Sequence, residues 1–410
     1  MPLTLDLDFA DASTYVDGTP HAVFARLRRE CPVYWNVRRK DGTGFWCITR
    51  YADIAAIHKD TTRFSSRKNV ALNDYDGGAA EDLILLQMDP PKHTAMRGVL
   101  ARAFTPKRIA DLVPAIRYHA TCAIDAVIGQ GACDLTVVAQ SLPIRMICQL
   151  LGIPDELHLK VLDWTNRTFG RDEYSKGEDD TFLAFQEIFQ YAFQLIGERK
   201  AQPRDDLASV LAAAEIEGRP LDEMELGWML FLLIGAGNDT TRTLITNAAR
   251  LFLEEPAIWE RLKAEPERLP QAIEEALRLE PSVRCMGRTA TVDVTLHGTT
   301  IRAGDPVFLW YPSGNRDEDV WADPDRFDLD RGDASRQQSF GGGGPHHCIG
   351  APLARLQSRI IFEELMRRMP DLALAGTPVR ARTDGFMNSL KHLPVRFTPG
   401  ARVFPAPPGR

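Results

Sequence analysis

One unusually long helical run most strongly limits how this chain can fold. From Leu221 to Glu255 apolar side chains recur at helical spacing, and Asp222 is suited to cap the first turn. At 1.5 Å per residue, such a helix is roughly 50 Å long. The sequence therefore predicts a single helix that crosses a whole domain.

The middle of this helix contains residues that weaken helices. It reads Gly235-Ala-Gly237-Asn-Asp239-Thr240-Thr241, and each glycine costs about 1 kcal/mol relative to alanine. Small residues let a ligand lie against a helix, and a threonine hydroxyl that bonds back to a carbonyl opens a groove for oxygen and water. Asp239 is placed to pass protons inward. The motif alone is equally consistent with a packing notch against another helix.

The pattern of the whole chain is typical of a mainly α protein with small β-sheets. Between about residues 100 and 280, apolar residues mostly recur at spacings of three and four. Strand-like alternation occurs in short patches: Val33–Trp35, Phe45–Ile48, Val292–Leu296, Val307–Trp310 and Val395–Phe397. Because no repeat or low-complexity linker divides the sequence, we expect one domain over residues 1–410. Residues of about 1–20 form an N-terminal extension in this prediction, and residues 400–410 form a tail.

Composition and charge exclude several classes of function. Hydrophobic residues at 44% and a formal net charge of −7 give no electrostatic footprint for nucleic acid. The longest strongly apolar run, near Trp228–Gly237, is about half of the ~20 residues needed to cross a bilayer. The acidic start, MPLTLDLDFADAS, lacks the regions of a secretory signal. We therefore expect a cytoplasmic protein that binds neither nucleic acid nor a membrane.

Cys348 differs from the remaining six cysteines, which are scattered without CxxC spacing. It lies between a glycine-rich loop, Phe340-Gly-Gly-Gly-Gly-Pro-His-His-Cys348-Ile-Gly350, and a helical pattern. The unpaired N–H groups and the positive dipole end of a helix start favour an anion, so the sulfur can persist there as thiolate. Glycines let the backbone pass close to a flat ligand, and Phe340 can shield the sulfur from water.

Three alternative roles for this segment stay open on its residues alone. A glycine-rich loop before a helix can hold a phosphate, although neither a Gly-Lys-Ser/Thr continuation nor a preceding GxGxxG spacing is present. His346, His347 and Cys348 can bind zinc, although no further ligand pair is suitably spaced. Cys348 can also be a buried structural cysteine.

Two further segments place charged or polar pairs at helical spacing. Glu275 and Arg278 are one turn apart, and Arg326 can bring a second guanidinium to Glu275, which would make a directional buried lock. His93 and Arg97 lie four residues apart on one helical face and suit an acidic group such as a propionate. Each pair alone is also consistent with ordinary solvated surface charge.

Taken together and in this order, these segments resemble the bacterial cytochrome P450 family of haem-thiolate monooxygenases, from about Phe24 to Thr398. The FxxGxxxCxG region is highly specific, whereas the ExxR and AGxDT motifs are decisive only jointly. In one departure from the family pattern, Phe340 lies eight residues before Cys348, one more than the commonest spacing. The extra glycine looks like the branch that acts on steroid side chains and branched lipids.

The resemblance implies a prism-shaped, mainly α fold that holds b-type haem between the long helix and the helix after Cys348. It implies that Cys348 is the proximal iron ligand and that Asp239 and Thr240 deliver protons to bound O2. The residues implied to lie around the haem are Ala236, Phe340 and, at the propionates, His93, Arg97, Arg288 and His346. The implied structural triad is Glu275, Arg278 and Arg326.

The resemblance also implies an apolar substrate pocket. Its implied lining includes Leu233, Val283, Arg284, Phe386 and Met387. Arg284 stands where the family often has an apolar residue, so it can bind a substrate carboxylate or turn toward a haem propionate. The segments 65–80 and 170–180 lack a clear pattern and are the predicted entrance walls.

The reaction implied is hydroxylation of a small hydrophobic substrate, because a thiolate ligand favours O–O cleavage whereas histidine favours reversible binding of O2. The favoured substrates are steroid or sterol side chains, terpenoids and branched lipids. Since the chain carries no flavin-binding segment, the implied electron donor is an iron-sulfur ferredoxin with an NAD(P)H-dependent reductase, and the enzyme is expected to be a monomer. The expected docking patch, unless it is ordinary solvated charge, consists of Lys107, Arg108, Arg355 and Arg359. The alternatives are a peroxygenase, a haem-thiolate isomerase, a hydroxylase of a smaller carboxylate-bearing substrate, and a non-catalytic haem sensor or carrier.

Overall fold

The computed structural model describes residues 5–72, 81–169, 177–216, 218–382 and 385–405. Of the two predicted entrance walls, residues 73–80 and 170–176 lie outside this part of the chain. Within the described residues, no helix is both long and apolar enough to cross a bilayer.

Helices form most of the molecule, as the spacing of apolar residues predicts. Named α1 to α14 in chain order, they span His21–Glu30, Tyr51–Lys59, Lys92–Ala101, Pro106–Asp111, Val113–Asp125, Leu135–Leu151, His158–Phe169, Glu178–Ala201, Leu207–Ala212, Glu223–Glu254, Pro256–Ala264, Leu269–Leu279, Tyr311–Gly314 and Ala351–Arg368. The strands, β1 to β14, are short and span Val33–Val37, Gly44–Ile48, Phe64–Ser65, Ala132–Asp134, Glu215–Ile216, Arg219–Pro220, Cys285–Ala290, Val294–Leu296, Thr299–Ile301, Pro306–Trp310, Ala373–Leu374, Val379–Arg380, Leu390–His392 and Pro394–Arg396.

The predicted long helix is α10, which has 32 residues and is therefore about 48 Å long. Its start is fixed by a capping box. The Asp222 side chain accepts from the backbone N–H of Glu225, and the Glu225 carboxylate accepts from the N–H of Asp222. Most of its side chains are buried, and α6, α8, α12 and α14 all pack against it. Because four helices pack around a helix that is mostly buried, α10 forms the centre of the molecule.

The main sheet has the strand order β1-β2-β10-β7-β3. Strand β10 runs parallel to β2 and antiparallel to β7, and this pairing sets Val307 opposite Arg288. The predicted strand patches coincide with β1, β2, β8, β10 and β14, with ends that differ by at most two residues. The sheet matters for function because β7 carries Arg288 into the interior.

Glu275 on α12 is the centre of a buried ion-pair lock. Its Oε2 lies 2.7 Å from Nε of Arg278, and both side chains are fully buried. The second guanidinium belongs to Arg331, whose Nε lies 2.9 Å from Glu275 Oε1. The prediction that Arg326 fills this place is wrong. The backbone carbonyl of Arg326 faces inward and accepts from Arg278 at 3.0 Å, which leaves the Arg326 side chain exposed.

Candidate active site

The glycine-rich loop brings Cys348 to the start of α14, as predicted. Gly341, Gly343 and Gly344 have φ angles of +93°, +98° and +79°, which side chains rarely allow. The backbone N–H of Cys348 donates to the carbonyl oxygen of Phe340 at 2.8 Å and closes the loop. The helix then begins at Ala351.

The sulfur of Cys348 lies within the protein beside a space that solvent reaches. The residue is exposed, yet the protein around it raises the pKa of its thiol by desolvation. The N–H groups of Gly350 and Ala351 and the charge of Arg97 act in the opposite direction. Burial is the largest of these causes, so the presence of a thiolate at this helix start stays a prediction. A metal cation deprotonates a coordinating thiol outright, so Cys348 remains suited to be an iron ligand.

The middle of α10 has the groove that its sequence predicts. The hydroxyl of Thr240 donates to the carbonyl oxygen of Ala236 at 2.8 Å. Ala236 is exposed although α10 is a central helix, so this part of the helix borders open space inside the molecule. Leu233, about one turn earlier, is buried with 8% of its surface exposed.

Asp239, the second residue of the predicted proton pathway, forms an ion pair. Its Oδ1 lies 2.9 Å from Nη2 of Arg242, and the two side chains are 17% and 10% exposed. Arg242 also donates to Oε1 of Gln140 on α6 at 3.2 Å. Arg242 was not predicted from the sequence, although an acid and a base three residues apart on a helix are a recognisable signal.

His93 on α3 and His346 on the glycine-rich loop meet, with ring centroids 4.1 Å apart. Both ring nitrogens of His93 and Nε2 of His346 are buried and have no hydrogen-bond partner among the described residues. Burial lowers the pKa of His93 to about 4, and the charge of Arg97 acts in the same direction. Burial together with the charge of Arg288 lowers the pKa of His346 to about 2. Both imidazoles are therefore neutral. Neither ring nitrogen of His93 has a partner in the described ranges, whereas His346 has a backbone hydrogen bond with Met88 and is unpaired at Nε2.

Arg288 supplies a buried positive charge to the same region. It is 3% exposed, donates to the carbonyl oxygen of Gly287 at 2.7 Å and approaches Nδ1 of His58 at 3.3 Å. Burial lowers its pKa, and within the described ranges it forms no ion pair. Buried charge without a counterion is costly, so this position requires an anion, and carboxylates suit a guanidinium best.

These observations test whether the residues present fit a haem. The unpaired nitrogens of His93 and His346 and the uncompensated charge of Arg288 suit two propionates, and the sulfur of Cys348 suits the iron. In the described part of the chain, no three His, Cys, Asp or Glu side chains form a group that could hold a metal ion. The zinc site considered for His346, His347 and Cys348 is therefore not formed.

The predicted pocket residues Val283 and Met387 face each other across an isolated antiparallel bridge. The hydroxyl of Ser282 donates to the carbonyl oxygen of Thr240 at 2.8 Å and so places this bridge beside the middle of α10. Phe386 and Met387 are partly buried and pack against the same apolar cluster as Val283. Ser282 was not predicted, because no motif in the sequence marks a contact that joins residues so far apart.

Arg284 is buried and directed at groups of the protein itself. Its side chain is 1% exposed, and its guanidinium donates to Asn388 Oδ1 at 2.9 Å, to Thr19 Oγ1 at 3.2 Å and to the carbonyl oxygen of Met387. Its Cζ lies 4.4 Å from the centroid of the Tyr15 ring. These donors are directed at protein acceptors, which disfavours the contact with a substrate carboxylate or a haem propionate, and that contact stays a prediction.

An aromatic cluster lies beside the first half of α10. Its buried members are Ile84, Phe189 and Trp228, and its partly buried members include Leu83, Leu86, Phe185, Phe231 and Leu232. The wall next to the first half of α10 is therefore apolar.

The predicted docking patch is not a group of free positive charges. Three of its four members are in ion pairs: Arg108 with Asp205, Arg355 with Glu274 and Arg359 with Glu363. The Arg355 guanidinium also lies 4.5 Å from the centroid of the Phe340 ring and covers that ring.

Comparison with known proteins gives consistent matches. The family model described as cytochrome P450 matches residues 175–370. A steroid C26-monooxygenase of Rhodococcus jostii is 35% identical over 402 residues, which cover 95% of this chain and 84% of that protein. A methyl-branched lipid omega-hydroxylase of Mycobacterium tuberculosis is 36% identical over 407 residues, which cover 96% and 95%.

The fold agrees with solved structures. The cytochrome P450 CYP268A2 of Mycobacterium marinum, solved in complex with pseudoionone, superimposes with a TM-score of 0.88 at 32% identity. The match covers 97% of this chain and all of that one.

Proposed function

The chain belongs to the cytochrome P450 family, and we propose that this monooxygenase hydroxylates a bulky apolar lipid with electrons from a ferredoxin. The observation that carries the proposal is a buried cluster without partners: Arg288 has no counterion among the described residues, and nitrogens of His93 and His346 have no hydrogen-bond partner. Cys348 is exposed in the same molecule. That combination suits a flat, dianionic, iron-containing cofactor.

The cofactor proposed is haem b. When bound, it supplies the iron at which O2 is activated. Cys348 would hold the iron, and His93, Arg97, Arg288 and His346 would hold the propionates. The apolar surroundings exclude water, which strengthens each of these charged contacts.

Proton delivery is assigned to Thr240 and Asp239. The Thr240 hydroxyl is fixed by the hydrogen bond that it donates to Ala236, and its lone pairs can accept a hydrogen bond from a water molecule in the groove. The Asp239 carboxylate lies on the neighbouring position and exchanges protons with solvent when its contact with Arg242 opens. Thr240 would therefore orient the proton, and Asp239 would supply it.

The substrate class proposed is a steroid side chain, a terpenoid or a branched lipid. Leu233, Val283, Phe386 and Met387 are apolar, and the aromatic cluster beside α10 extends the apolar wall. The names of the relatives support this class, because a steroid and a methyl-branched lipid are both large and mainly apolar. Since Arg284 is occupied by the protein, a neutral lipid fits better than a small carboxylate.

The electron donor proposed is an iron-sulfur ferredoxin with its NAD(P)H-dependent reductase. A docking surface would include Lys107 on α4, which has no ion pair among the described residues, together with arginines that could exchange their present acidic partners for those of a ferredoxin. Such an exchange would make association sensitive to salt.

One experiment tests the substrate class. The purified holoenzyme is screened against neutral steroids, terpenoids, branched fatty acids and small carboxylates for the optical shift that accompanies displacement of water from the iron. Compounds that cause this shift are then incubated with the holoenzyme, a surrogate ferredoxin, its reductase and NADPH, and the products are identified. We expect hydroxylated steroid or branched-lipid products. Turnover confined to small carboxylates, or supported by hydrogen peroxide but never by the ferredoxin, would contradict the proposal.

A further inference from the structure

We infer that His58 is a positioning residue that holds Arg288 in the direction of the haem propionates. His58 lies in the last turn of α2 and is 2% exposed. Its Nδ1 is 3.3 Å from Nη2 of Arg288, and its Nε2 is 3.1 Å from the hydroxyl of Tyr311. The His58 and Tyr311 rings stack at 5.6 Å with 20° between their planes. A ring held at both nitrogens and on one face has a single orientation.

The hydrogen-bond directions follow from the charge on each group. Burial lowers the pKa of His58 well below its usual value, and the charge of Arg288 acts in the same direction, so the ring is neutral. Arg288 has donors alone, so Nδ1 of His58 accepts from it and Nε2–H donates to the Tyr311 oxygen. A neutral acceptor orients the guanidinium without cancelling its charge. The full charge therefore remains available to a carboxylate on the other side.

The loop that carries the iron ligand rests on the same residue. A Cβ atom on Gly344 would clash with the carbonyl oxygen of His58, and one on Gly342 would lie 2.9 Å from its Cδ2. These two positions need glycine because α2 approaches so closely. The loop between Phe340 and Cys348, which is one residue longer than is commonest in the family, thus packs directly on His58.

His58 consequently joins two parts of the proposed haem site that are far apart in sequence. On one side it fixes the guanidinium of Arg288, and on the other it supports the loop that ends at Cys348. This inference rests on the proposed role of Arg288 as a propionate partner, so the experiment must separate the two.

The test compares two substitutions of His58 in the holoenzyme. His58→Phe keeps a ring against Tyr311 but removes the acceptor, whereas His58→Asn removes the ring and keeps an acceptor near the place of Nδ1. The readouts are the rate of haem transfer to apomyoglobin, the haem reduction potential, and the Soret position of the ferrous carbon monoxide complex.

For His58→Phe we expect roughly tenfold faster haem transfer, about 1.4 kcal/mol, because the guanidinium of Arg288 loses the acceptor that orients it. The potential should become more negative because the guanidinium is held less firmly near the haem. The Soret position should stay that of a thiolate ligand. His58→Asn should restore slow transfer, and His119→Phe, which removes a histidine on α5, should change none of the three readouts.

A double-substitution cycle separates the inference from its premise. If Arg288→Met leaves haem transfer unchanged, the proposed propionate contact of Arg288 fails. If Arg288→Met accelerates transfer but His58→Phe does not, or if His58→Phe adds its full effect in the Arg288→Met background, the role of His58 is overturned. Should His58→Phe not fold, a crystal structure of the wild-type holoenzyme decides. Arg288 must donate both to His58 Nδ1 and to a propionate oxygen, and a guanidinium turned away from His58 overturns the inference.

Discussion

The hydroxyl of Thr240 donates a hydrogen bond to the carbonyl oxygen of Ala236, one turn earlier in α10. The hydroxyl therefore shares an acceptor that the helical ladder also uses, which is how a threonine loosens a helix locally. Gly235 and Gly237 flank the same carbonyl, and Ala236 is exposed there. Gly237 instead packs against α6, because a Cβ atom there would lie 3.2 Å from Cδ1 of Ile147. This segment therefore combines a packing notch at Gly237 with a groove at Ala236 and Thr240.

Replacing Thr240 by alanine should uncouple electron transfer from product formation. We expect haem binding to be unchanged, while the product formed per NADPH falls at least about tenfold and hydrogen peroxide rises, since positioned proton transfer contributes roughly 10²–10⁴-fold. NADPH consumption, peroxide and product are measured together. Thr240→Ser keeps the hydroxyl and should remain mostly coupled. Full coupling in Thr240→Ala would remove the assigned role.

Replacing Asp239 by asparagine should slow the proton-dependent step. The amide keeps a polar group beside Arg242 but cannot exchange a proton, so we expect the turnover rate to fall roughly 10²-fold and the solvent isotope effect to rise. Turnover in H2O and D2O gives both values. Asp319→Asn, at an exposed position after α13, is the matched control. A wild-type rate with an unchanged isotope effect would exclude Asp239 from proton delivery.

The buried ion-pair lock at Glu275 predicts that substitutions of two nearby arginines will differ strongly in their effect on the free energy of unfolding. Arg331→Met leaves part of a fully buried carboxylate without its partner and should cost about 3–5 kcal/mol in the free energy of unfolding. Arg326→Met changes an exposed side chain and should cost under about 0.5 kcal/mol. Urea unfolding of the holoenzyme measures both. Equal losses in the two variants would mean that Arg326 reaches Glu275 in solution.

Local patterns in the sequence predict the helices and strands. They also predict the positions of two motifs, the middle of α10 and the glycine-rich loop before Cys348. The apolar spacing and Asp222 predict α10 to within two residues, and the Gly-rich run predicts that Cys348 precedes a helix. Both predictions depend on neighbours along the chain, where helical period and capping rules apply directly.

Long-range partners were not predictable in the same way. Arg326 and Arg331 lie in one irregular segment. The spacing of residues there does not reveal which of the two directs its side chain at Glu275 and which directs only its backbone carbonyl inward. Arg284 satisfies its donors with Thr19 and Asn388, each of which is separated from it by about a hundred residues or more. Such contacts depend on how the elements pack, and a single sequence carries no local signal for them.

Stability should fall as the pH is lowered, in part through His21. Burial and then the charge of Arg316 lower the pKa of His21 from 6.5 to about 3. The unfolded chain therefore binds the proton more tightly, and this contribution is complete above about pH 6.5 and is lost as the pH falls towards 3. The loss is at most about 1.4 kcal/mol per pH unit. Urea unfolding of His21→Gln should show a shallower dependence between about pH 7 and pH 5. Identical slopes for variant and wild type would contradict this assignment.

Arg284 allows a final prediction about substrate charge. Its guanidinium is directed at Asn388, Thr19 and the carbonyl oxygen of Met387, so it steadies the turn beside Phe386 and does not present a free charge to the pocket. Arg284→Met should therefore weaken the binding of a neutral steroid and of its side-chain acid alike. The two dissociation constants should rise by factors that agree within about threefold, because both ligands contact the same displaced turn. Dissociation constants from the optical shift measure this. If the acid alone weakened by about tenfold or more, as expected for a lost charge-assisted hydrogen bond, Arg284 would be a carboxylate-binding residue after all.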